Sequence, residues 1–166
     1  MSIFRPYELI KKYQDLDIQK YKELGYNTIL CDIDNTLAVP DVELTASKEA
    51  KEFVNKLKDN GFKVIIYSNN KASRVKPFAD SLDSEYVYWA FKPLPFKYLN
   101  TLKRFNLDKS KVLSLGDQII TDCIGCNIVG IKFIYTKQLV EKDTWKTVIN
   151  RKIERLIFKY ILHEKV

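Results

Sequence analysis

Residues 28–36 read TILCDIDNT, an apolar run that ends at two aspartates, Asp32 and Asp34. Four further apolar runs rich in β-branched and aromatic residues follow along the chain. Nearly continuous apolar runs are typical of parallel strands that helices cover on both faces of a sheet. The five predicted strands are Thr28–Ile33, Phe62–Tyr67, Tyr86–Ala90, Val112–Leu115 and Ile131–Tyr135.

The segments between these strands carry the apolar spacing of helices. Thr45 is a candidate N-cap, apolar residues recur at positions 50, 53, 54 and 57, and Gly61 supplies the stop. Similar spacing predicts a helix around positions 75–82, another at Pro95–Phe105 and a shorter one near Asp122–Val129. The alternation predicts a doubly wound (Rossmann-like) α/β fold with a five-stranded parallel sheet, in one domain over residues 1–166.

Polar side chains gather where the predicted strands end, which is where doubly wound sheets bind ligands. They are Asp32 and Asp34 after the first strand, Ser68 and Asn69 after the second, Lys92 after the third, and Asp117 and Asp122 after the fourth. Carboxylates and a lysine that converge in this way suit a divalent metal and a phosphoryl group. The sequence therefore predicts a phosphate-handling active site at this edge of the sheet.

The residue types indicate how this site would work. One carboxylate of the Asp32–Asp34 pair can attack phosphorus while the other handles the proton of the leaving group. Mg²⁺ prefers oxygen ligands, so Asp32, a backbone carbonyl near Asp34, and Asp117 would hold it. Ser68, Lys92 and backbone N–H groups around Asn69 would bind the phosphoryl oxygens.

The composition excludes several other classes of protein. The only histidine of the 166 residues is His163, so a serine–histidine triad and a histidine-rich zinc site are both unsupported. The chain begins without an apolar leader and has no apolar run long enough to cross a bilayer, which predicts a cytoplasmic protein. A net charge of +7 favours anionic partners such as phosphorylated metabolites, anionic lipid or nucleic acid.

The motifs DIDNTLA, YSNN, FKPLPF and GDQIITD resemble those of the haloacid dehalogenase superfamily, and in particular the YqeG-type phosphatases of its class IIIA. That group is related to phosphatidylglycerophosphatases. The resemblance implies that Asp32 is the nucleophile that forms an aspartyl-phosphate and that Asp34 is the acid/base. It further implies that Ser68 and Lys92 bind phosphate, that Asp117 holds Mg²⁺, and that Asp122 lies beside the metal ligands without binding the metal itself.

The short connections between the motifs predict a core without a cap domain. Only Leu37–Leu44 remain for a flap after the first motif once the predicted helix and strand are placed. Such an open site suits a phosphate on a lipid or polymer. Together with the family resemblance and the positive charge, it leads us to expect phosphatidylglycerophosphate as the substrate. A phosphatase of nucleotides or nucleic-acid ends, or a non-catalytic protein that binds RNA or the ribosome, remains an alternative.

The C-terminal segment suggests where a membrane contact would lie. On a helix, an apolar stripe would run beside a set of basic residues: the stripe is Ile149, Ile153, Leu156, Ile157 and Tyr160, and the basic residues are Arg151, Lys152, Arg155 and Lys159. A basic amphipathic helix can lie on anionic lipid, which would make the protein peripheral on the inner face of the membrane. The same stripe can instead pack on the core with its charges in solvent.

Overall fold

A computed structural model describes residues 2–40, 44–140 and 153–159 of the chain. Six strands and five helices alternate in these ranges: β1 (Glu8–Ile10), α1 (Ile18–Glu23), β2 (Thr28–Cys31), α2 (Lys48–Asp59), β3 (Lys63–Tyr67), α3 (Ala72–Asp80), β4 (Glu85–Val87), α4 (Pro95–Arg104), β5 (Val112–Gly116), α5 (Ile124–Val129) and β6 (Lys132–Thr136). Residues 153–157 form a further helical segment. The predicted doubly wound α/β fold is confirmed.

All strand pairs of the sheet are parallel, in the order β1-β6-β5-β2-β3-β4. The chain runs outward from β2 through β3 to β4, then returns to the other side of β2 with β5 and β6. The order therefore reverses between β2 and β5, and the crevice at such a reversal is where doubly wound folds bind ligands. Both strands end in the aspartate motifs of the sequence.

The sheet has six strands rather than the predicted five. The additional strand, β1, pairs in parallel with β6 and is only three residues long. A stretch of three half-buried residues is too short for hydrophobic periodicity to reveal. β4 is also shorter than predicted, because it ends at Val87 instead of Ala90.

Helix α2 shows how local sequence sets the element ends. Its N-cap is Ser47 rather than the predicted Thr45, because the Ser47 hydroxyl accepts a hydrogen bond from the amide of Ala50. A cap of this kind stabilises a helix by about 1 kcal/mol. Gly61 follows the helix with a φ of +87°, the left-handed conformation that glycine adopts without strain.

Two apolar layers cover the sheet, one on each face. Helices α1, α2 and α3 contribute Tyr21, Phe53 and Phe78 to the first layer. Helices α4 and α5 contribute Tyr98 and Cys126 to the second. Because both faces are buried, the strands can be almost wholly apolar, and polar side chains of the buried site collect where the strands end.

The described part of the C-terminal segment packs on the second layer. Ile157 and Phe158 are buried, and the Phe158 ring lies 5.2 Å from that of Tyr135, measured between centroids. Ile153 and Leu156 of the predicted stripe are exposed. Ile149, Arg151, Lys152 and Tyr160 lie outside the described residues, as does His163. Within the described ranges, no helix has both the length and the apolar character that a bilayer span requires.

Candidate active site

The chain turns sharply where β2 ends. The carbonyl of Ile33 accepts hydrogen bonds from the amides of Thr36, Leu37 and Ala38, at 3.1, 2.8 and 2.9 Å. Asn35 adopts a φ of +60° within this turn, a conformation that asparagine tolerates better than most residues. Because the extended strand is already over, the side chains of Asp32 and Asp34 do not share a face, and they diverge.

Asp32 enters a buried group of charges. The Nζ of Lys92 lies 3.0 Å from Oδ1 of Asp32 and 2.6 Å from Oδ1 of Asp122. Oxygens of Asp32, Asp117 and Asp122 all lie within 4.8 Å of one another. The structure thus brings together four of the predicted site residues, from the ends of β2 and β5 and from the segments after β4 and β5.

Burial makes this group electrostatically unusual. Asp117 is 0% exposed, Asp122 1% and Lys92 7%. Burial raises the pKa of Asp32 above its ordinary value; Lys92 opposes this rise, and Asp122 adds to it. Burial alone would lower the pKa of Lys92, but contact with Asp122 and Asp32 raises it above the ordinary value. The lysine is therefore held as a cation between carboxylates.

The backbone around the cluster leaves little room for change. The hydroxyl of Thr36 donates to Oδ1 of Asp117 at 3.2 Å. A Cβ added at Gly116 would lie 2.8 Å from Cγ of Asp122, closer than side-chain atoms approach. Glycine at this position is what lets the Asp122 carboxylate lie against the end of β5.

Asp34 lies in different surroundings. Its Oδ1 accepts a hydrogen bond from Nη2 of Arg74 at 2.9 Å, and its Oδ2 accepts one from Nδ2 of Asn70. The Asp34 side chain is 26% exposed, compared with 12% for Asp32. The carboxylate of Asp34 is thus oriented by donors at the edge of the site. Whether its backbone carbonyl binds a metal stays a prediction.

Ser68 and Asn69 follow β3 as predicted, and they have structural partners. The amide of Asn70 donates to the hydroxyl of Ser68 at 3.2 Å. The side chain of Asn69 accepts from the backbone amide of Lys92 at 2.7 Å and donates to its carbonyl at 3.1 Å. The side chain of Asn69 therefore fixes the backbone that carries the lysine. The backbone amide of Asn69 and the hydroxyl of Ser68 remain the predicted phosphate donors.

Sequence reasoning missed three residues that shape the site. Arg74 and Asn70 orient Asp34, and Glu154 accepts from the backbone amide of Ile120 at 3.3 Å and from that of Ile119. The YSNN motif contains Asn70, so a polar residue near the site could have been suspected from it. Arg74 belongs to no motif, because helix α3 brings it to the site. Glu154 lies in the stretch NRKIERL near the C-terminus, which is part of the family resemblance but carries no predicted role.

The residues present suit a magnesium ion. Three carboxylates and one ammonium, all largely buried, leave a formal charge of −2. Uncompensated buried charge is strongly unfavourable, and a divalent cation with oxygen ligands compensates it. Asp32 and Asp117 on neighbouring strands are the carboxylates that the sequence predicts as ligands, and Asp122 completes the cluster.

The comparisons with known proteins agree with this geometry. The family model of haloacid dehalogenase-like hydrolases matches residues 41–130, more than half of the chain. The chain belongs to this family. A "Probable phosphatase YqeG" of Bacillus subtilis (strain 168) is 33% identical over 94% of this chain and 90% of its own length. The expectations of a haloacid dehalogenase-type phosphatase and of a YqeG-type resemblance are confirmed.

Solved structures share the fold at lower identity. An uncharacterised protein from Listeria monocytogenes serotype 4b is 21% identical, with a TM-score of 0.56 over 80% of this chain and 99% of its own. The 3-deoxy-D-manno-octulosonate 8-phosphate phosphatase of Moraxella catarrhalis is 16% identical, with a TM-score of 0.52 over 86% of this chain and 90% of its own. That structure contains a magnesium ion, a phosphate ion and a KDO molecule. At these identities the likeness establishes the fold alone.

Proposed function

We propose that this protein is a Mg²⁺-dependent phosphomonoesterase that works through an aspartyl-phosphate on Asp32. The observation that carries the proposal is the buried cluster at the reversal of strand order. There, three carboxylates lie together and Lys92 pairs with two of them, Asp32 and Asp122, while Asp34 is oriented separately by Arg74. A nucleophile and a proton carrier need such different surroundings.

In the first step, an oxygen of Asp32 attacks the phosphorus and the bond from phosphorus to the leaving oxygen breaks. Asp34 gives its proton to that oxygen, which leaves as an alcohol. In the second step, Asp34 takes a proton from water, whose oxygen attacks the phosphorus. The bond between phosphorus and the Asp32 oxygen breaks, which releases inorganic phosphate and restores the Asp32 carboxylate. Lys92, the Ser68 hydroxyl and the Asn69 amide would hold the phosphoryl oxygens.

A magnesium ion would be held by Asp32, Asp117 and the backbone carbonyl of Asp34, with Asp122 beside them. When bound, it supplies positive charge that keeps Asp32 ionised and offsets the repulsion between its carboxylate and the phosphate. Lys92 then compensates Asp122, its nearest carboxylate at 2.6 Å. Arg74 keeps Asp34 at the edge of the site, where an alcohol can leave.

We infer phosphatidylglycerophosphate as the substrate. Support comes from the resemblance to the YqeG-type group, from the positive charge of the chain and from the openness of the site. In the described residues, β3 and β4 are joined by α3 and no cap domain intervenes. A terminal phosphate at a membrane surface could therefore reach Asp32 without the lipid leaving the bilayer.

The test is phosphate release from phosphatidylglycerophosphate in mixed micelles, with Mg²⁺ or with EDTA, beside a panel of soluble nucleotides and phosphosugars. We expect Mg²⁺-dependent turnover of the lipid, and a loss of at least about 10³-fold in Asp32→Asn. Asp80→Asn, an exposed aspartate on α3, is the matched control and should retain activity.

Other outcomes would change the assignment in defined ways. Turnover confined to nucleotides or nucleic-acid ends would keep the mechanism and replace the substrate. Lipid turnover that is equal in Asp32→Asn would remove Asp32 as the nucleophile. No turnover of any phosphate ester would favour the non-catalytic binding protein.

A further inference from the structure

A row of large apolar side chains lies exposed beside the active-site lysine. Its members, hereafter the aromatic ridge, are each 44–54% exposed: Tyr88, Trp89, Phe91, Leu94, Phe96 and Leu99. The ring centroids of successive aromatic members lie 6.2–6.4 Å apart. Single exposed apolar residues are ordinary, but a contiguous set of this kind marks an interaction surface.

The backbone of this ridge is held by hydrogen bonds to the rest of the fold, whereas its aromatic side chains make no contribution that the fold needs. After β4, the amides of Trp89 and Ala90 donate to the carbonyls of Asn70 and Ser68, at 2.9 and 3.0 Å. Ala90 and Lys92 are buried, whereas Trp89, which precedes Ala90, and Phe91, which lies between the two, point outward. Both have positive φ, 45° and 50°, which large side chains seldom adopt. Asparagine would suit that backbone better and would be more soluble.

The ridge adjoins the entrance to the site. Phe91 and Leu94 line a cavity of about 390 Å³ together with Pro93 and two site residues, Asn69 and Lys92. Whatever covers the ridge is therefore held next to the residues that we propose bind phosphate.

The charges around the ridge indicate its partner. Apart from the buried Lys92, residues 86–107 include Lys97, Lys103 and Arg104 and no aspartate or glutamate. The Nζ of Lys97 lies 5.8 Å from the centroid of the Phe91 ring. A second copy of this chain would bring these cations against each other, whereas an anionic lipid surface complements them. Tyrosine, tryptophan and phenylalanine are also the side chains that favour the interface of a bilayer.

We propose that the aromatic ridge docks the protein on an anionic lipid bilayer, with the entrance to the active site facing the headgroups. The ridge is a different surface from the C-terminal segment that the sequence suggested. The inference rests on the proposed function only for the identity of the substrate. Docking itself is measured without turnover, so the two can fail separately.

The experiment is co-sedimentation of the full chain with vesicles in EDTA, where no turnover occurs. The vesicles are phosphatidylglycerol mixed equally with phosphatidylcholine, or phosphatidylcholine alone. The ridge variant is Trp89→Asn/Phe96→Gln/Leu99→Gln, because asparagine accepts the positive φ at position 89 and glutamine is compatible with α4. Leu24→Asn is the control, since Leu24 is 57% exposed and precedes the opposite, amino end of β2.

We expect the wild type and Leu24→Asn to bind the anionic vesicles, with weaker binding at high salt and little binding to phosphatidylcholine. The partition coefficient of the ridge variant should fall at least tenfold, while its turnover of a soluble phosphate ester stays within twofold. Equal binding of the ridge variant, or no binding of the wild type, would overturn the proposal. So would a wild-type dimer that the ridge variant converts to a monomer, because the partner would then be a second copy.

Discussion

Asp32 and Asp34 are two residues apart in sequence and occupy contrasting surroundings. Asp32 joins a buried cluster with Asp117 and Asp122, with Lys92 3.0 Å from its oxygen. Asp34 is more exposed and contacts the donors Arg74 and Asn70. The turn at Ile33 separates the two carboxylates. A single strand end can thereby supply a carboxylate for attack and another for proton transfer, because one turn places them in different electrostatic environments.

The largest difference between the two carboxylates is expected when each is removed in turn and the covalent intermediate is followed. Asp34→Asn should lower kcat by about 10²–10³-fold, since general acid–base catalysis contributes on that order. When it is given a phosphate ester with a good leaving group as substrate, this variant should still form an acid-stable phosphoprotein, because Asp32 is intact. Asp32→Asn should form none. Rapid acid quench with intact-mass detection measures both.

A phosphoprotein in Asp32→Asn, or identical intermediate levels in the two variants, would show that the two carboxylates do not divide the work as we propose. Asp80→Asn is the control and should form the intermediate to the same level as the wild type.

Removing the contact that orients Asp34 should have a smaller effect. Arg74→Gln takes away the donor 2.9 Å from Oδ1 of Asp34. We expect kcat to fall about tenfold with a nearly unchanged KM, because the proposed proton carrier is misplaced while phosphate binding is retained.

Arg74→Lys should recover part of the rate, and Lys76→Gln, an exposed cation on the same helix, should have no effect. If Arg74→Gln altered only KM, Arg74 would be a substrate-binding residue rather than a positioning residue.

The smallest effect concerns stability and Asp32. Burial raises the pKa of Asp32, Lys92 opposes the rise and Asp122 adds to it, so that the folded protein holds this proton more tightly than the unfolded chain. Stability from this group is present at low pH and is lost as the pH rises through the folded pKa of about 7. In EDTA, the free energy of unfolding of Asp32→Asn should therefore rise relative to that of the wild type between pH 5 and pH 8.

Urea unfolding at the two pH values measures this difference, and Asp80→Asn should show the ordinary pH dependence. A wild type whose stability relative to Asp32→Asn does not change with pH would mean that Asp32 is ionised throughout. Added Mg²⁺ should reverse the sign, because the ion favours the ionised carboxylate.

The sequence predicts most of the fold because the evidence for it is local. Apolar runs indicate buried parallel strands, and spaced apolar positions indicate the covering helices, of which α2 and α4 lie close to their predicted bounds. Short elements escape this reasoning. β1 has three residues, and the N-cap of α2 depends on which of two nearby hydroxyls reaches the Ala50 amide.

The order of residues along the chain specifies which chemical groups are available at one edge of the sheet. Asp32, Lys92, Asp117 and Asp122 follow strand ends, and parallel strands end at the same edge. Which of these groups meet depends on the packing of the strands and helices. β2 lies beside β5, so Asp32 lies near Asp117, and α3 brings Arg74 to Asp34. The packing also leaves the aromatic ridge exposed. Apolar residues in a sequence suggest burial, and the tertiary structure is needed to show which of them remain uncovered in the described fold.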